Sequence, residues 1–440
     1  MTDTALKDLS YAKLHDEWDE LELDEKLKRF QELAPADAEE FFRELGSSDE
    51  SELLTALPTR EQRLWIRTLD PDDAADVLQI IDEEERGHFL DLLDESTRTE
   101  VSALMAYAED EAGGLMSPRY ARVRPDMTVD EALAYLRKQA LETVETVYLV
   151  YVLDGQQHLM GVVSVRRLFS SPPHKKVNDV MRTNMITANE DADQEDLSKL
   201  FKEHNLLAIP VVDSEGRMKG IVTIDDIVDV VEEEATEDIQ KMGGSEALGD
   251  PYLKIELPEM IKKRAGWLFV LFLGELLTAN AMGYFEDQIA KAVILALFLP
   301  LIISSGGNAG SQASTLVVRA MALDEVRLRD WWKVMQREII VGSSMGVILG
   351  VVGYIRVIVW ESIFHTYGPH SQLLGVTVGL SLVGIVLWGS VSGSILPFVL
   401  KRAGFDPASA STPFVATLVD VTGVVLYFTI ASIVLKGAML

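Results

Sequence analysis

Apolar residues are spaced along this chain in three different ways. Over the first 110 positions they recur at helical intervals within short polar segments, the pattern of amphipathic helices. Two of these segments match each other at a shift of 36 residues, LAPADAEEFFREL at 33–45 and LDPDDAADVLQII at 69–81. Each sets Pro in a first helical turn with acids beside it, as a helix start prefers, so a stacked array of helix hairpins is predicted. Further along the period changes: β-rich runs such as VYLVYVL and IPVVD alternate with helical stretches such as TVDEALAYLRKQ and DQEDLSKLFKEH. That alternation predicts sheets with covering helices. In the last 180 or so positions the apolar runs reach bilayer length, roughly 20 residues each, at about 265–285, 289–309, 338–360, 372–399 and 413–435.

The middle part is duplicated. Met116 to Phe169 and Met181 to Val231 share one order of elements, and each ends in a strand and turn of one type, GVVSVRRL at 161–168 and GIVTIDDI at 220–227. This pairing resembles a tandem of cystathionine-β-synthase-type (CBS) domains, which implies βαβ modules that dimerise and often bind adenosine nucleotides. In the nucleotide-binding version a Thr or Ser followed three residues later by Asp holds the ribose. Thr223 and Asp226 match that pattern, whereas Ser164 is followed by Arg167 and does not. One site for a nucleotide such as ATP is therefore expected at most, and a pair serving only as a dimerisation scaffold is the alternative.

Charge divides the chain at the same place as hydropathy. Residues 1–240 hold 56 Asp and Glu against 25 Lys and Arg, while the remaining 200 hold 14 against 15. A near-neutral apolar half joined to a strongly acidic polar half reads as a membrane domain with a soluble appendage. Phosphate would be repelled, so nucleic acid is not an expected partner and cations are. With no cysteine, thiolate metal sites, disulfides and Cys nucleophiles are excluded. The start, MTDTALKDLS, lacks a basic region and an apolar core, so no cleavable signal is expected. Basic residues fall at Lys262, Lys263 and Arg264, at Arg319, Arg327, Arg329, Lys333 and Arg337, and at Lys401 and Arg402. Every such loop lies on the amino-terminal side of five spans, which predicts a multi-pass plasma-membrane protein, with its N terminus cytoplasmic and its C terminus external.

Three stretches carry the chemistry. In SSGGNAGSQASTLVVRAMA, residues 304–322, glycine, asparagine and glutamine close an apolar run, which places polar groups where hydrocarbon would be unless they face a pore or another helix. Close helix packing through Gly306, Gly307 and Gly310 is the alternative, and Asn308, Ser311 and Gln312 go beyond what packing needs. Asp420 is the one charge between Thr412 and Leu435; an ionisable group inside a span signals function. If that span starts near Thr412, Asp420 lies about 12 Å in. VEEEATEDIQKMGG, 231–244, places five acids within positions 232–238, with Glu234, Glu237 and Asp238 on one helical face. Such a face repels itself unless cations sit on it. Glu275, near the middle of the first span, has no partner evident in sequence, and a packing role and a cation path both fit it. The seven His residues show no metal-ligand spacing, and no nucleophile–base constellation or phosphate-cradling loop is present, so the chain is not read as an enzyme.

The order helical repeat, CBS pair, EEATEDI, connecting helix and five spans, with GGNAGSQASTLVVRA and PFVATLVDVTG, resembles the MgtE family of magnesium channels and transporters over nearly the whole chain. The resemblance implies a multidomain fold: an all-α superhelical N domain at 1–112, tandem α/β CBS domains at 113–232 (116–169 and 181–231), an acidic segment and connecting plug helix at 233–264, and an α-helical five-span pore domain at 265–440. It implies a homodimer in the lipid bilayer that takes up Mg²⁺ through a two-fold pore and is shut by cytoplasmic Mg²⁺. Asp420 becomes the pore ligand, with Asn308 and Ser311 lining the path, although Ser311 replaces the family's usual Asn. Glu237 and Asp238 with Asp406 become one Mg²⁺ site, and Asp226, Asp229, Glu234 and Glu195 become sensor positions. Asp70 and Glu39 are assigned to the contact between helical repeat and CBS pair. A channel for Mn²⁺ or Co²⁺ and a membrane-tethered nucleotide sensor without conduction are the alternatives.

Overall fold

A computed structural model describes residues 11, 13–15, 17–139, 144–249, 252–253 and 255–436. The chain forms two compact units, Met1–Glu233 and Glu234–Leu440, and each is described by itself.

After a 3₁₀ turn at Trp18–Glu20, the described residues of the first unit form seven short helices: α1 (Leu23–Glu32), α2 (Pro35–Arg43), α3 (Ser47–Ala56), α4 (Thr59–Ile66), α5 (Pro71–Ile80), α6 (Glu83–Leu92) and α7 (Glu95–Leu104). The two repeat copies are α2 and α5, and in both the proline stands in the first turn, where no backbone donor is lost to the helix. Alternate helices pack on one another, α1 on α3, α3 on α5 and α5 on α7, which winds the array as a solenoid. Phe41, Phe42, Leu53, Leu54, Ile66 and Leu78 are fully buried, and each such side chain contributes about 1.5–3 kcal/mol. Trp65 closes this core against Phe30, with ring centroids 4.9 Å apart.

Two matching sheets follow. In the first, β1 (Arg122–Val123), β2 (Leu149–Leu153) and β3 (Leu159–Ser164) accompany α8 (Val129–Gln139), α9 (Val165–Ser170) and α10 (Val177–Val180). In the second, β4 (Ala188–Asn189), β5 (Ala208–Val212) and β6 (Met218–Thr223) accompany α11 (Gln194–His204) and α12 (Ile224–Met242). Each sheet pairs its first strand parallel and its last antiparallel to the middle one. A register shift recurs at the same point, between Val152 and Leu153 and between Val211 and Val212. The duplication read from sequence thus extends to an irregularity that no hydropathy pattern shows. The apolar core of the helical array runs on into the second module through Leu197, Phe201, Ile209, Val211 and Val222, and the Tyr107 hydroxyl donates to Glu190 at 2.7 Å. The array and the second module therefore share one interior.

Among the described residues the second unit holds five helices long and apolar enough to span a bilayer, Leu257–Tyr284, Val293–Ala322, Leu328–Phe364, Ser371–Arg402 and Thr412–Val434. Their regular α-helical parts are α13 (Leu257–Tyr284), α15 (Leu299–Ala322), α16 (Trp331–Phe364), α17 (Ser371–Arg402) and α18 (Thr412–Val434), with the short α14 (Glu286–Lys291) between the first two. The second span corrects the sequence reading, which ended it near residue 309: SSGGNAGSQAS lies inside α15 rather than closing it. The reason is backbone contact. A Cβ on Gly389 would come within 2.2 Å of the Gly306 carbonyl oxygen, and one on Gly393 within 2.1 Å of that of Gly310. Glycines spaced by four on α15 meet glycines spaced by four on α17, the geometry that lets two helix backbones touch in a membrane. Gly342, Gly346 and Gly350 of α16 also meet α17, less tightly, around Ser390, Val383 and Gly379.

Candidate ion-conduction and carboxylate sites

The start of the last span is fixed from several directions. The Ser411 hydroxyl caps α18 by accepting from the Phe414 amide at 3.3 Å, and it accepts from the Trp267 indole at 3.0 Å. From α15, Ser311 donates to the Thr412 carbonyl at 3.2 Å and Ser314 to the Ala410 carbonyl at 2.8 Å. Ser311, assigned by resemblance to the path, thus braces the helix start; Asn308 is exposed on α15 and makes no hydrogen bond among the described residues. Gly307 beside it faces Ala416 of α18.

Two turns up α18, Asp420 is half-buried, and its side chain lies within hydrogen-bond reach of Glu275 on α13. The partner that sequence did not reveal for Glu275 is thus another acid, on the span farthest from it in the chain. Among the described residues no three Asp, Glu, His or Cys side chains converge as a dry metal cage would require.

Nearer the acidic segment, Asp406 caps the 3₁₀ turn Pro407–Ser409 by accepting from the Ala408 amide at 2.8 Å. Its other oxygen takes the Lys241 ammonium at 2.7 Å, and Lys241 also contacts Glu237, one helical turn before it on α12. Burial alone would lower the Lys241 pKa, but its bonds to Asp406 and Glu237 outweigh this and raise it. The approach of Glu237 to Asp406 expected from charge is present, with a cation already in place: the chain's own ammonium. Asp238 and Glu234 are half-buried on the same helix.

A denser group of carboxyls lies in the first unit. Asp72 is 7% exposed, and its Oδ1 has no hydrogen-bond partner among the described residues. Burial, then the neighbouring Asp73, Glu145 and Asp226, raise its pKa well above the usual range. The same causes push Glu145 and Asp226 up to about 7 and Asp76 up to about 8. Asp226 accepts on Oδ2 from both the amide and the hydroxyl of Thr223, at 3.0 and 2.9 Å. These bonds lower its pKa without offsetting burial. Beside this pair a groove is lined by Glu145, Thr146, Tyr148, Leu207 and Asp225.

Arginines border this group. Asp70 faces Arg43 at 3.6 Å and Arg119, at the edge of the first CBS module, at 3.8 Å. Glu39 is exposed in a groove with Phe30, Gln31, Glu61 and Trp65, apart from the carboxyl group. Glu195 pairs with Lys199 at 3.0 Å at the start of α11, and Asp229 is exposed.

Sequence reasoning missed Asp72, Asp73, Asp76, Glu145 and Lys241. A signal existed for one of them. Set against its repeat copy, α5 carries Asp72 where α2 has Ala36, whereas Asp73 and Asp76 stand opposite the acids Asp37 and Glu40.

Three family models match the chain: a divalent cation transporter model, MgtE, over 299–430, an MgtE intracellular N domain over 9–110, and CBS domains over 112–173 and 177–233. The magnesium transporter MgtE of Thermus thermophilus is 40% identical over 351 residues, 78% of this chain and 74% of that protein. The magnesium transporter MgtE of Enterococcus faecalis is 32% identical over 339 residues, 77% of this chain and 72% of its own. A solved cytosolic domain of the Mg²⁺ channel MgtE in complex with ATP is 38% identical, covering 52% of this chain and 95% of its own, with a TM-score of 0.48.

Proposed function

This chain belongs to the MgtE family of magnesium transporters, and from that premise we propose that it conducts Mg²⁺ through a two-fold pore at which Asp420 of each protomer meets its mate. The observation that carries this is a carboxyl, half-buried two turns into the last span, in a helix with no other charge from Thr412 to Val434. A carboxyl there is tolerated only where water or cations reach it. Mg²⁺ is the cargo, an octahedral ion that gives up its waters reluctantly. Opposed carboxylates accept hydrogen bonds from those waters and so hold the ion without stripping it. An all-oxygen donor set without Cys or His favours a hard cation of this kind over Co²⁺, and suits Mn²⁺ as well. Orientation follows from the basic loops, with the amino-terminal half in the cytoplasm at the plasma membrane.

Closure is assigned to the carboxyls of the cytoplasmic half. Asp72, Glu145 and Asp226 repel one another when bare, and Mg²⁺ relieves the repulsion by bridging them. Asp229, Glu195, Asp70 and Glu234 stand at the edges of that response. Near the mouth, Glu237, Asp238 and Asp406 form the second element, where Lys241 yields its place to Mg²⁺. Moving a gate from mostly open to mostly closed takes about 5.5 kcal/mol of differential binding, which several weak sites supply together. The groove beside Thr223 and Asp226 is assigned to the ribose of an adenosine nucleotide such as ATP, on the motif and on the proximity of both side chains.

Flux into liposomes by the purified protein tests conduction: Asp420→Ala should abolish Mg²⁺ entry, and entry at the unsubstituted rate would remove Asp420 from the pore. Inhibition by Mg²⁺ on the cytoplasmic face should be steep, and lost when Asp226, Glu234 and Glu237 are neutralised together. Unchanged inhibition in that variant refutes the sensor.

A further inference from the structure

The first span carries a carboxyl for which the pore reading has no role. α13 and α18 run parallel and climb in step. The Trp267 indole meets the Ser411 hydroxyl at 3.0 Å, and a Cβ on Gly274 would come within 2.6 Å of Thr417 Cγ2. One residue after Gly274, and one turn of α18 after Thr417, the register brings Glu275 to Asp420, side chain within hydrogen-bond reach of side chain. Thr278, one turn beyond Gly274, adds a hydroxyl buried with no partner among the described residues. The seam between the two helices is therefore closed by a glycine below and is polar above it.

An ordinary role does not account for Glu275. The basic residues Lys262, Lys263 and Arg264 lie on the same helix at least 11 positions earlier, about 16 Å along the axis, too far for an ion pair. Glu275 is exposed on the protomer, so in a bilayer it faces hydrocarbon, which is costly, or water and a cation path. Two bare carboxylates repel, so this pair holds together only with a shared proton or a cation between its oxygens.

We propose that Glu275 is a second carboxylate of the conduction site, so that each protomer offers the hydrated ion a Glu275–Asp420 oxygen pair, and that it sets the preference for divalent over monovalent cations. The inference rests on the reading of Asp420 as pore ligand. Its physical basis is that attraction scales with the product of the charges. Raising the site from two carboxylates to four in a dimer strengthens the hold on Mg²⁺ twice as much as that on Na⁺ or K⁺. Without Glu275 the site still attracts cations, but discriminates less between the two charges.

The test uses the full-length protein in planar bilayers or liposomes, with Mg²⁺ on one side and Na⁺ on the other, reading both flux and reversal potential. Glu275→Gln keeps shape and removes charge; the Mg²⁺-to-Na⁺ permeability ratio should fall roughly tenfold, the order one nearby charge brings at intermediate dielectric. Glu275→Asp should restore most of it. The ratio is a property of each conducting molecule, so poor yield of a variant does not blur it. An unchanged ratio in Glu275→Gln, with Asp420→Asn silent, overturns this inference and leaves the pore reading standing. Conduction by Asp420→Asn at the unsubstituted rate overturns the pore reading itself.

Discussion

The two compact units handle negative charge in opposite ways. In the first, acids are many and crowded: burial, and then neighbouring acids, raise the pKa of Asp72, Asp73, Asp76, Glu145 and Asp226. In the second, the spans hold few acids, and Asp420 acts through where it stands: alone on its helix, near one acid of another. On the proposed reading, the lesson is that a sensor can be built from number while a selective path needs position. A crowd of carboxyls responds in graded fashion to cation concentration, and losing one member weakens it. A pore site of one or two carboxyls per protomer has no such reserve.

The largest effect should come from removing position. Asp420→Asn is expected to reduce Mg²⁺ flux at least about a hundredfold, whereas Asp76→Asn should leave the open-state flux unchanged and shift only its inhibition by internal Mg²⁺. Equal losses in the two would break the comparison. Next, backbone packing should matter in the membrane unit and hardly at all in the helical array. Gly393→Val forces a side chain against the Gly310 carbonyl and should cost about 1–3 kcal/mol or more. Gly87→Ala, with nothing near its Cβ, should stabilise by about 0.5–1 kcal/mol; thermal melts of the two full-length variants in detergent check both.

The crowd also predicts a pH dependence. Glu145 and Asp226 are raised to about 7, Asp76 to about 8 and Glu50 to about 9, while the same groups in an unfolded chain titrate near 4. Above about pH 4 the folded protein therefore holds more protons than the unfolded one, so its stability falls as pH climbs toward 7–9. In EDTA, the melting midpoint of the soluble half, followed in the intact protein, should drop between pH 5 and pH 8. Added Mg²⁺ should flatten that slope, and a slope indifferent to Mg²⁺ would separate the carboxyls from cation sensing. The smallest effect belongs to Lys241. Its bonds to Asp406 and Glu237 are part-exposed, a class worth about 0–1 kcal/mol. Lys241→Gln should therefore lower the Mg²⁺ concentration for half-inhibition by no more than about fivefold. A rise instead would mean that Lys241 assists closure rather than competing with the ion.

Much of this architecture was legible in the chain itself. Five apolar runs, a shifted helical repeat and a duplicated αβ pattern each have a period, and period survives in a single sequence. The isolation of Asp420 was equally plain, because a charge stands out against an apolar background. What escaped reading was contact at long range. Glu275 and Asp420 are 145 positions apart, and no local rule links the first span to the last. Lys241 looked like one more base on an acidic helix until Asp406 came beside it. The end of the second span was misplaced because glycine, asparagine and glutamine close the apolar run, whereas against the glycines of α17 they continue α15. Glu39 shares its repeat position with Ala75, so the copies differ where the carboxyl group forms, and it remains outside.

The touching glycines of α15 and α17 have a mechanical consequence. Where two main chains lie in van der Waals contact, no rotamer can absorb a displacement, and rotation of one helix by even a fraction of a turn drives a side chain into a carbonyl. These two helices must travel as one stiff plate. Widening of an ion path then falls to the joints made by side chains, the seams of α13 and α18, where an indole, a threonine methyl and a pair of acids leave slack that bare backbone does not.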